Sequence, residues 1–84
     1  MVMYAYDNGT DFGRIGVSAS RKFGNSVRRH CFIRRIRAIY INNIGHIKGG
    51  IDIIVVARRT TGSFGYDKLE MDYLRLLKQL RLYR

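Results

Sequence analysis

Seven cations stand in the run Arg21-Lys-Phe-Gly-Asn-Ser-Val-Arg-Arg-His-Cys-Phe-Ile-Arg-Arg-Ile-Arg37, and no carboxylate stands among them. The acid-free zone is wider still, from just after Asp11 to just before Asp52. A merely soluble helix would pair such cations with acids at i±4. Arginine dominates here, and its planar fork suits phosphate and base-edge contact. The chemistry this implies is binding of a polyanion, with RNA the leading candidate. Protein-borne catalysis finds little support. The acids Asp7, Asp11, Asp52, Asp67, Glu70 and Asp72 are scattered, and none pairs with a histidine for general acid–base work. His30 and Cys31 are adjacent, so on a helix they diverge by about 100°. No Cys/His set has zinc spacing. Gly13, Gly16 and Gly24 form no dinucleotide or Walker pattern. Gly24-Asn25, leading into a helix between Arg21, Lys22, Arg28 and Arg29, could still offer backbone N–H groups to a phosphate.

These residues need elements to hold them. Met1–Tyr6 reads as a strand, Asp7–Asp11 as turn chemistry, and Arg14–Ser20 as a strand with Ile15, Val17 and Ala19 on one face. Asn8-Gly9 predicts that the two strands form an antiparallel hairpin. Asn25 or Ser26 can cap a helix that runs to about Tyr40. Phe32, Ile36 and Ile39 recur at i, i+4, i+7 as its core stripe, and His30, Arg34 and Arg37 form a polar stripe. Asn42, Asn43 and Gly45 end it. Ile51–Ala57 is a buried strand, and Arg58–Gly65 a loop. A last helix runs from Asp67 to about Leu82, capped by Asp67 with Glu70 at the capping-box position. Leu69, Tyr73, Leu76, Leu77 and Leu80 form its apolar face. The order β–β–α–β–α describes one α+β domain over residues 1–84. Tyr4 and Tyr6 share a strand face on which bases could stack.

Composition narrows the partners. The chain has 84 residues, enough for one small domain, and a formal charge of +10 that a polyanionic partner would relieve. A hydrophobic share of 46% argues against a disordered basic tail. The single cysteine excludes an internal disulfide. The apolar runs are too short to span a bilayer and no signal peptide is visible, so a cytoplasmic protein without a membrane partner is expected. A helix-turn-helix DNA reader would need two adjacent helices, and the strand Ile51–Ala57 stands between them, so DNA is not the expected partner.

The block Arg14–Arg37 resembles the signature of the protein subunit of bacterial ribonuclease P. Its Arg-Ile-Gly-Val-Ser opening, Gly-Asn-Ser-Val helix start and spaced arginines are similar in order and spacing to that family. Gly49-Gly-Ile-Asp-Ile-Ile-Val-Val-Ala-Arg58 resembles the family's later strand, and a leucine-rich helix follows in both. The resemblance implies a small central sheet packed with helices, with a left-handed β–α–β crossover made by the basic helix. It also implies a job. In the family a catalytic RNA carries out Mg²⁺-dependent cleavage of the 5′ leader of precursor tRNA. The protein binds that RNA and grips the leader in a cleft between the crossover helix and the sheet.

Carried over by position, the resemblance makes Ser20, Arg21, Lys22, Arg29, His30, Arg34 and Arg37 RNA-binding, and Val2 and Tyr4 leader-cleft residues. No catalytic or metal-binding residue is expected on the protein, and Mg²⁺ is expected to be held mainly by the RNA. Three motif positions depart from the family: His30, Cys31 and Ile33. Cys31 and Ile33 each remove a cation, for which Arg28 and Arg35 are expected to compensate from other sides of the helix. The family's opening helix and first strand have no counterpart before the strand at Val2, and the edge thus exposed is expected to favour self-association. The competing reading is a non-enzymatic basic RNA-binding module, ribosomal-protein-like in character. It accounts for charge and size but not for the joint occurrence of the two blocks.

Overall fold

Ile51, Ile53, Ile54, Val55 and Val56 are β-branched neighbours in one short run, which favours a strand flanked on both edges. The computed structural model describes residues 1–58 and 65–83. In it this run is β3 (Ile51–Ala57), the centre of a three-stranded sheet with β1 (Val2–Asp7) and β2 (Arg14–Ala19) as its edges. β1 lies antiparallel to β3 and β2 parallel to it. Helix α1 (Ser26–Asn42) makes the crossover from β2 to β3, after a single 3-10 turn at Arg21–Phe23. Helix α2 (Tyr66–Gln79) closes the fold. The predicted α+β order and element types stand.

The expected antiparallel hairpin between the first two strands does not form. Its strands take opposite edges of β3, because the connection bridges the N-terminal end of β3 instead of making a two-residue turn. The Asn8 N–H donates to the Gly50 carbonyl at 2.9 Å. Gly50 has φ of 76°, and a Cβ there would strike the Thr10 carbonyl, so glycine alone lets the bridge pass. Asp52 at the start of β3 then ties both sides of the bridge. Its Oδ1 accepts from Asn8 Nδ2 at 2.7 Å, and Arg14 donates to both carboxylate oxygens, at 2.6 and 3.2 Å.

The Arg14 hydrogen bond first, and that of Asn8 second, hold the Asp52 carboxyl below its ordinary value of 3.8. A depressed carboxylate pKa gives stability that is present above the unfolded value and lost as pH falls through the folded one. The urea midpoint of the wild type should therefore drop below about pH 4. Asp52→Asn should show a shallower drop over the same range. Equal slopes for the two proteins would remove Asp52 from the account. Arg14 is exposed, so solvent screening keeps the effect modest.

Strand alternation sends Met3, Ile53, Val55 and Ala57 to one face of the sheet, where they are buried. Phe32, Ile36 and Ile39 of α1 join them as predicted, with Leu69, Tyr73 and Leu77 of α2. Three details of α2 differ from the sequence reading. The cap is Gly65, without a side-chain hydrogen bond, and not Asp67. Glu70 accepts from Asn43 Nδ2 at 2.9 Å, so it ties the two helices together instead of closing a capping box. The helix stops at Gln79, leaving Leu80 as an exposed cap, while Leu82 beyond it is buried. The segment between Arg58 and Gly65, read as a loop, lies outside the described residues.

Tyr73 is fully buried, and its hydroxyl has no hydrogen-bond partner among the described residues. Burial chiefly, and Tyr40 secondarily, push its phenol well above the ordinary range. An unsatisfied buried hydroxyl costs about 1–3 kcal/mol. Tyr73→Phe is therefore expected to raise the unfolding free energy by about 1 kcal/mol or more, read by urea denaturation. A loss of stability would mean that the hydroxyl has a partner such as a buried water.

Candidate nucleic-acid interface

Asn25 starts α1 as one of the two predicted caps, its side-chain oxygen accepting from the Arg28 N–H at 2.9 Å. At about 100° per residue, the core stripe then turns His30, Arg34 and Arg37 outward, and all three are exposed. Val27 and Ile41 are exposed on the same side, so this ridge mixes cations with apolar contact surface. Cys31 is half-buried there, with Arg34 Nη2 3.9 Å from its Sγ.

Arg28 folds back onto the turn before the helix. Its guanidinium lies 5.3 Å from the Phe23 ring centroid and its Nε donates to the Phe23 carbonyl at 3.2 Å. A Cβ at Gly24 would collide with the Arg28 side chain, so Gly24 makes room for this fold-back. Arg29 is half-buried. Its Nε is buried without a hydrogen-bond partner among the described residues.

Arg21 and Lys22 are exposed on the turn before α1. Ser20 has a structural duty: its N–H donates to the Ala57 carbonyl and its hydroxyl to the Arg58 carbonyl, at 2.9 and 2.7 Å. These bonds extend the β2–β3 pairing by one residue and leave the hydroxyl only its lone pairs for a ligand.

Val2 and Tyr4 lie on the sheet face opposite the core. The expected cleft between α1 and the sheet is filled by the core stripe, so these residues belong instead to an open face. Cross-strand register arranges that face in three rows: Val2, Val56 and Ser18; Tyr4, Ile54 and Gly16; Tyr6, Asp52 and Arg14. Tyr4 is 39% exposed and Tyr6 56%. Gly16 contributes no side chain, which keeps the middle row low beside Ile54.

Arg58 joins the open face to the basic turn. Its Nη2 donates to the Tyr4 hydroxyl at 3.0 Å, while its carbonyl holds Ser20. In the sequence Arg58 marks only the end of a strand motif and the start of a loop. The available signal was a cation placed directly after a buried strand, where it must emerge at the sheet's end. Among the described residues no group of three His, Cys, Asp or Glu side chains could hold a metal, and no helix is long and apolar enough to cross a membrane.

The family described as Ribonuclease P matches residues 1–81 of this chain. Ribonuclease P protein components of Streptococcus pneumoniae, among them those of strains CGSP14 and G54 (serotype 19F), are 37% identical over 83 residues. That alignment covers 99% of this chain and 68% of theirs. The RNase P protein from Thermotoga maritima superposes with a TM-score of 0.81 at 32% identity, covering 92% of this chain and 74% of that one. The Staphylococcus aureus RNase P protein gives 0.84 at 30% identity, covering 98% and 75%.

Proposed function

Because the chain belongs to the ribonuclease P protein family, and so works with an RNA subunit in tRNA 5′-leader processing, we propose that it does so through two joined surfaces. The outward ridge of α1, with His30, Arg34 and Arg37, and the basic turn, with Arg21 and Lys22, bind the catalytic RNA. The open sheet face, with Val2 and Tyr4, receives the single-stranded leader of precursor tRNA. The observation that carries this reading is Arg58. One side chain and its own carbonyl connect Tyr4 to Ser20, so a leader on the sheet runs directly into the cationic turn.

The physical role is electrostatic and positional. Each phosphate neutralised releases counterions, and fixed positive charge beside the cleavage site lowers the Mg²⁺ that the RNA needs. Tyrosine rings offer the leader's bases a sequence-tolerant stacking surface. Mg²⁺ itself is held mainly by the RNA in this reading. Three of the chain's six carboxylates already have partners: Asp52 is engaged by Arg14 and Asn8, Glu70 by Asn43, and Asp72 by Lys68 and Arg75.

Adding the protein to the catalytic RNA is expected to raise precursor-tRNA cleavage most at low Mg²⁺, by a factor that shrinks as Mg²⁺ rises. Tyr4→Ala should lose part of that gain with leader-bearing substrate while still binding the RNA subunit. Absence of stimulation by folded protein at every Mg²⁺ concentration would sink the proposal.

A further inference from the structure

Phe12 is the most exposed of the large hydrophobic side chains among the described residues, at 81%. It sits in the bridge between β1 and β2, where an exposed phenyl ring would ordinarily swing with its loop. Here the backbone beneath it is held on both sides. The Phe12 carbonyl accepts from Asn8 Nδ2 at 2.6 Å, and the Phe12 N–H donates to Thr10 Oγ1 at 3.3 Å. Asn8 Oδ1 in turn accepts from the Thr10 N–H at 2.8 Å, and Asn8 Nδ2 also reaches Asp52 on β3. The ring is therefore presented by a braced turn.

The surroundings suit a nucleobase. Asn8, Thr10, Phe12 and Arg14 line a depression of about 250 Å³. Arg14 belongs to the third row of the open face, beside Asp52 and Tyr6. Its charge is neutralised by Asp52 within the sheet, yet its side chain is 77% exposed. A guanidinium so held offers its plane to a base without drawing a phosphate away from the strongly cationic turn. The partner that fits an exposed aromatic ring beside an exposed guanidinium plane is an unstacked base of single-stranded RNA.

We propose that Phe12, with Arg14, forms a second stacking subsite for the leader, on the turn that Asn8 braces, at the end of the open face opposite Arg58. It rests on the reading that the leader lies along this face, and it adds that leaders long enough to pass Tyr4 and Tyr6 gain a further base contact. The chain path supports this: Tyr4 and Tyr6 lie along the β1 edge of the sheet, and the Phe12 turn follows at its end.

The test uses holoenzyme assembled from this protein and its catalytic RNA, with precursor tRNAs whose leaders are lengthened one nucleotide at a time. Leader affinity of the wild type should step up at one length. Phe12→Ala should erase that step, a loss of roughly tenfold for longer leaders, whereas Phe12→Trp should retain it. A 2-aminopurine placed at the step position should be quenched by the wild type and by Phe12→Trp but not by Phe12→Ala. Thermal melting of each variant checks that the turn remains folded. If Phe12→Ala binds every leader as the wild type does, or weakens all lengths equally, the subsite is refuted. If wild-type affinity shows no dependence on the leader at all, the underlying reading of the sheet face fails, and the subsite with it.

Discussion

A protein carrying Arg34→Gln and Arg37→Gln together is expected to bind the catalytic RNA roughly ten- to a hundredfold more weakly at about 0.15 M salt. The two guanidinium groups share the outward ridge of α1 and are exposed there. Each phosphate contact adds close to one unit to the slope of log affinity against log salt, so the double variant should lower that slope by about two. The loss should shrink as salt rises, and wild type and variant should converge at high salt. Arg75→Gln is the matched control. Arg75 is equally cationic, but it lies on α2 and Asp72 stands 3.6 Å from it. Filter binding over a salt series checks the prediction. A variant that loses affinity with no change in slope would show that the arginines act by packing or base contact and not by neutralising phosphates.

Phe32→Ala should be the most damaging single change to the fold. Phe32 is 1% exposed, and its ring meets that of Phe23 at 5.0 Å between centroids, tilted by 56°. Phe23 in turn carries the Arg28 guanidinium, so the core stripe, the turn before α1 and the start of the helix share one aromatic contact. Truncating a buried phenylalanine costs about 3–5 kcal/mol through lost transfer energy and the cavity left behind. A domain of this length has about 4–13 kcal/mol in total. Much of the population should then unfold at 37 °C, and urea denaturation should show the midpoint falling by a large fraction. Saturating RNA should restore part of the folded signal, because a ligand of the native state stabilises it by mass action. Val27→Ala, on the exposed side of the same helix, should shift stability by no more than about 0.5 kcal/mol. A Phe32→Ala protein as stable as the wild type would mean that the core repacks around the gap.

The two outcomes bear on different levels of the same helix. Arg34 and Arg37 are readable from spacing because α1 is long and its buried stripe at Phe32, Ile36 and Ile39 dictates which way every other residue points. The capping by Asn25 was equally legible, since the Asn-Ser pair stands directly before the first helical turn. The reading of Arg28 was not. Its position on the helical wheel marks it as a flanking cation, but contact with Phe23, five residues back and outside the helix, folds it onto the protein. Asp67 and Glu70 misled for a related reason. The capping-box spacing was present, yet Asn43 on the other helix offered Glu70 a donor.

Local periodicity and composition by themselves determined the element types, the core-facing stripe, the cationic ridge and the two sequence blocks by which the family could be recognised. Each depends on residues a few positions apart, which the chain brings together whatever its global path. The tertiary structure alone decided that β3 separates β1 from β2, that Val2 and Tyr4 face away from α1, and that Arg58 links Tyr4 to Ser20. Those facts rest on pairings between residues 38 to 54 positions apart, such as Ser20 with Arg58, Asn8 with Asp52 and Tyr4 with Arg58. The strongest local signal there, Asn8-Gly9, favours a hairpin. It was overruled because β3, apolar and β-branched along its length, gains more from two paired edges than the first two strands gain from each other.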